Sequence, residues 1–99
     1  ARADPEAARM EERTRLTEEQ ARKIYEAMKS SEKASRNIFK EMEKPIEKRD
    51  QTLITQNKKV IEDSSNIIKE VVEDVGGERV MHDYTNNWSR KLAKEDKDA

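Results

Sequence analysis

His82 is the only histidine in the chain, with Glu78 one helical turn before it and Asp83 beside it. An imidazole near carboxylates can ligate a metal or titrate close to neutral pH. A metal wants more ligands at fixed spacing than this cluster offers, so an ordinary surface or half-buried histidine is expected. The densest carboxylate group is Glu62, Asp63, Glu70, Glu73 and Asp74. Metal centres in helical bundles usually combine two Glu-x-x-His segments, and the chain contains none. These acids are better suited to pairing: an antiparallel neighbour would bring Arg22 and Lys23 toward Glu62 and Asp63. Such exposed pairs select orientation more than they stabilise. With no cysteine, disulfides, thiolate metal sites and cysteine nucleophiles are excluded. Phosphate-cradling glycine loops and nucleophile elbows are also missing. The expectation is no enzyme, no cofactor, no metal and no small-molecule substrate.

A second chemistry is charge recognition. Arg22, Lys29, Lys33, Arg36, Lys40 and Lys44 fall on the outer side of one predicted helix, where a row of cations could contact the phosphates of nucleic acid or another polyanion. Glu19, Glu26 and Glu43 lie among or beside them, and no aromatic residues interleave. The 21 basic and 22 acidic residues leave a net charge of −1. A solvated face carrying i,i+4 pairs is therefore the default for this row. Asn87-Trp88-Ser89 has the form of a glycosylation sequon. No export signal accompanies it, so chance explains it better.

The elements that must position these residues are helical. Hydrophobic residues make up 32% of the 99 and charged residues 43%. That is too little apolar material for a large private core, and a partner or a second copy would ease the shortage. The charges nearly cancel and the apolar residues are periodic, which argues for helices over a disordered chain. Two aliphatic ladders step by seven through the middle: Ile46, Leu53, Val60, Ile67, and Ile54, Ile61, Ile68, Val75. Seven residues are close to two helical turns, so each ladder lies along one side of a helix. Asn57 and Ser64 fall between them. With Ser31 and Ser35 of the preceding helix, Asn57 is expected to form a polar layer that sets register. A loose, hydrated seam is the alternative.

Helix boundaries follow from caps and breakers. Asp4-Pro5-Glu6 predicts a weakly held lead-in over 1–16. Thr17 and Gln20 form a capping box for a helix over 17–43, whose inner face runs Ala21, Ile24, Met28, Ser31, Ser35, Ile38, Met42. Pro45 interrupts it and is expected to open a helix over 45–75, about 46 Å long, which Gly76-Gly77 ends. A shorter helix over 78–95 carries Val80, Met81, Tyr84, Trp88 and Leu92. Thr85-Asn86-Asn87 are poor helix formers that predict a break there, with Asn87 capping the final turn.

The expected fold is all-α: one bundle domain over 17–96, a long-helix antiparallel hairpin of coiled-coil type with a shorter C-terminal helix. One long helix kinked at Pro45 is the alternative. In its favour, Phe39 and Ile46 keep the step of seven across the proline, and no glycine or asparagine stands near the junction. The expected function is protein–protein interaction, as an oligomerisation, assembly or adaptor module. Ile54, Val60, Ile61, Ile67 and Ile68 would pack, Asn57 would set register, and Tyr84 and Trp88 would dock the last helix or a partner. Nucleic-acid or polyanion binding through the basic row is the runner-up. No apolar run reaches the roughly 20 residues of a membrane span and no signal-peptide pattern is present, so an intracellular, cytoplasmic setting is expected.

Overall fold

The computed structural model describes residues 15–99, so the lead-in expected over 1–16 lies almost wholly outside the described residues; Arg15 and Leu16 precede the first helix. That helix, α1, spans Glu18–Met42. Its capping box forms as the sequence predicts: the Gln20 N–H donates to Thr17 Oγ1 at 3.1 Å, and the Thr17 N–H donates to Gln20 Oε1 at 2.9 Å. Leu16 sits just before the cap and is buried, which fixes the angle at which the chain enters.

The chain reverses after Met42, so the continuous kinked helix is not formed. A single 3₁₀ turn, Ile46–Lys48, follows Pro45, and the second long helix, α2, spans Gln51–Val75. Its start differs from the expected Pro45 because Asp50 is the effective cap: its side chain accepts the Leu53 N–H at 3.1 Å. The turn closes without glycine because side chains replace what a left-handed residue would supply. The Arg49 guanidinium donates to the Met42 and Lys44 carbonyls, each at 2.9 Å, satisfying acceptors at the end of α1. Each long helix has 25 residues, about 38 Å.

Gly76 and Gly77 end α2 with φ of 142° and 93°. Both amides donate to the Val72 carbonyl, a helix closure that needs a positive φ. The C-terminal rod then comprises α3 (Arg79–Asp83), a wide π turn (Tyr84–Trp88) and α4 (Ser89–Asp98). The break expected at Thr85-Asn86-Asn87 is absent. The chain stays helical and absorbs the poor formers by widening one turn, while Asn87 donates to Asp83 Oδ1 at 2.7 Å instead of capping. No strand occurs among the described residues, and none of their helices is long and apolar enough to cross a membrane.

The main core gathers where three helical segments meet: Leu16, Ala21, Ile24, Val71, Val80, Tyr84 and Leu92. Ile24, Val80 and Leu92 are fully buried, each stabilising the fold by about 1.5–3 kcal/mol relative to exposure. Toward the turn only α1 and α2 remain in contact, and the residues buried there are Ala34, Ile54 and Glu41.

Candidate interaction face

The two ladders of α2 have different fates. Ile54 is buried, and Ile61, Ile68 and Val75 are half-buried against α1 and the core. The other ladder lies at the edge of that contact: Leu53 is half-buried, but Val60 stays 40% exposed and Ile67 42%. Two helices can cover only one side of a stripe this wide, and the C-terminal rod covers the opposite flank. Beside Val60 runs a groove of about 240 Å³ between α1 and α2, lined by Ser30, Lys33, Ala34, Asn37 and Asn57. Small residues on α1 open it. Phe39, Met42 and Ile46 are also exposed near the turn.

Asn57 lies at the wall of this groove and bridges the two helices. Its side-chain amide donates to the Leu53 carbonyl at 2.8 Å, and its Oδ1 accepts from Asn37 Nδ2 at 3.2 Å. The partner is therefore Asn37, not Ser31 or Ser35, both of which sit half-buried along the seam.

A second polar node closes the turn. The Glu41 side chain is only 6% exposed, and its Oε1 accepts the Asp50 N–H at 2.8 Å and Lys44 Nζ at 3.0 Å. The Asp50 amide first, and then the Lys44 ammonium, hold the Glu41 carboxyl below the usual glutamate range. A third polar set anchors the C-terminal rod beside α1. Arg22 reaches Glu95 at 2.7 Å, the Tyr25 hydroxyl donates to Asp96 at 3.0 Å, and Lys29 pairs with Asp96. Lys29 and then Tyr25 hold Asp96 below the usual aspartate range. The Leu16 N–H donates to Asp83 Oδ2 at 2.7 Å, so the rod runs parallel to α1.

These contacts redistribute the basic row. Arg22, Lys29 and Lys44 are taken up by carboxylates, and the pairing expected between Arg22 and Glu62 or Asp63 is replaced by Glu18 and Glu95. Among the described residues, Lys33, Arg36 and Lys40 make no ion pair and are exposed. Tyr84 is buried in the core, while Trp88 is half-buried with Lys91 Nζ 5.1 Å from its ring. Trp88 therefore helps dock the rod and keeps one face toward solvent. His82 is exposed, and no group of three His, Asp or Glu side chains among the described residues is placed to hold a metal.

Sequence reasoning missed Asn37, Glu41, Arg49, Glu95 and Asp96. Only Glu41 left a hint: a carboxylate at an inner position of α1, one turn after Ile38 and Asn37. In comparisons with known proteins, no family model, no curated protein and no solved structure matches this chain.

Proposed function

We propose that this chain is a non-enzymatic helical module that binds protein through its helix faces, serving oligomerisation, assembly or adaptor roles. One observation carries the reading: half of a regular aliphatic stripe, Val60 and Ile67, stays outside the core, and Val60 lines an open groove. Single exposed aliphatics are ordinary, but a ladder in register with a groove offers the shape in which a partner helix packs. Asn57 at the groove wall offers that partner a polar landmark for register.

Photo-crosslinking tests this. A benzophenone side chain placed at Val60 or Ile67 should give discrete protein adducts in an extract of the source cells, and one placed at Glu73 should not. Equal adduct formation at all three positions, or none, would contradict the reading.

Polyanion binding through Lys33, Arg36 and Lys40 is the second reading, favoured by their freedom from ion pairs among the described residues. It predicts salt-dependent retention on heparin, lost when all three are changed to alanine. The exposed aliphatic ladder has no role in that reading, which ranks it second.

A further inference from the structure

The interaction reading leaves the partner open, and the charges beside the groove narrow it. Glu19, Glu26, Lys33 and Lys40 follow one another at steps of seven along α1. All four are exposed, and none takes part in an ion pair among the described residues. Lys33 lines the groove with Val60, and a step of seven keeps Glu26 and Lys40 within about 20° of Lys33 around α1, on the side next to the groove.

The row reads acid, acid, base, base. Turned end for end, it is its own complement: Glu19 meets Lys40 and Glu26 meets Lys33. A twofold axis across the helices makes this match, because in such contacts residue i meets j while j meets i. The ladder obeys the same operation, with Val60 of one chain beside Ile67 of the other. Asn37 and Asn57 are hydrogen-bonded and so lie level. The midpoint of the charged row lies seven and a half residues back from Asn37, level with the step from Ser64 to Ser65 on α2. The midpoint of Val60 and Ile67 lies one residue away, between Asp63 and Ser64, a mismatch of about 1.5 Å. One axis therefore serves both rows.

Resting on the interaction reading above, we propose that the face bordered by Val60, Ile67, Glu26 and Lys33 docks a second copy of this chain, antiparallel, through a twofold axis near Ser64. Ile67 of each copy enters the groove beside Val60 of the other, and four inter-chain ion pairs flank the contact. A parallel pairing sets acids against acids and bases against bases. A two-helix face about 38 Å long and about 18 Å wide covers about 700 Å². That is close to the roughly 800 Å² each partner contributes to a stable complex. Asp63 is the charged residue brought nearest its own copy.

Sedimentation equilibrium of the full chain over a wide concentration range tests the proposal. The expected result is a monomer–dimer equilibrium that weakens at least about tenfold in the double variant Lys33→Glu/Lys40→Glu and equally in Glu19→Lys/Glu26→Lys. Mixing the two variants should restore a dimer, while Asp63→Asn should tighten the parent one. Circular dichroism of each variant separates loss of contact from loss of helix. Orientation is read by oxidising single-cysteine chains: Val60→Cys should cross-link to Ile67→Cys faster than either links to itself. A dimer indifferent to both charge reversals, or one that cross-links fastest between like positions, overturns the proposal. So does a monomer at every concentration. If that monomer still gives crosslinked adducts with another protein, the interaction reading stands and only the second copy falls; with no adducts, both fall.

Discussion

The two ends of this molecule are built from the same helices and differ in what covers them. At the end that holds Leu16 and Val80, the C-terminal rod lies beside α1 and α2, and Ile24, Val80 and Leu92 are wholly removed from water. At the turn end α1 and α2 have only each other, the buried positions are filled by Ala34, Ile54 and the carboxylate of Glu41, and Phe39 and Ile46 are 70% and 73% exposed. Three segments close a core; two leave half of an apolar stripe outside it. Stability is thus concentrated at one end, and surface available for recognition at the other and along the α2 edge.

That contrast can be broken by mutation. The largest effect belongs to the closed end: Ile24→Ala should cost about 2–5 kcal/mol in urea unfolding, because the site is fully buried and boxed in on several sides. Overpacking should separate the two ends next. Ala21→Leu in the closed core should cost about 1–3 kcal/mol, whereas Ala34→Leu should cost less, because two helices can splay where three cannot. Equal costs would mean that the turn end is as tightly constrained as the core.

The turn node should appear in pH dependence. The folded Glu41 carboxyl titrates below its unfolded value, so the folded chain binds fewer protons there. Its stabilisation is complete above the ordinary glutamate range and lost as pH falls through the lower folded value. Glu41→Gln should therefore lower stability at pH 6 and reduce the further loss between pH 6 and 3. Hydrogen exchange of the Asp50 amide, which Glu41 accepts, should quicken in the variant. The smallest effect is expected for Asn57→Leu. It removes the bond to Asn37 and adds apolar surface at a half-buried position, so the stability of the single chain should stay within about 1 kcal/mol. Any large change would have to come from register or association.

The helices and part of their inner faces were legible in the sequence because the seven-residue step, the Thr17–Gln20 box and Gly76-Gly77 are local signals; Met42, expected inward, is exposed, and Ala27, Ala34 and Glu41 are buried instead. The turn was not. It depends on Glu41 reaching the Asp50 amide and Arg49 reaching the Met42 carbonyl, contacts seven to nine residues apart that no propensity records. The C-terminal rod misled for a related reason. Thr85, Asn86 and Asn87 are poor helix formers, but Asn87 to Asp83 and the Ser89 hydroxyl to the Thr85 carbonyl secure a widened turn. The ladders themselves were plain, yet their sequence is even-handed. Which one turned inward was decided by α1 and by a rod that packs on one flank only.

The division of the ladders is the central claim, and neighbouring residues test it. Ile68→Ala and Ile67→Ala remove the same atoms one position apart. Urea unfolding of both at a protein concentration low enough to keep chains single should show a loss of about 2 kcal/mol for Ile68→Ala. The loss for Ile67→Ala should be under about 0.5 kcal/mol. Equal losses would contradict the account, for they would place the outer ladder in the fold and leave no stripe for a partner.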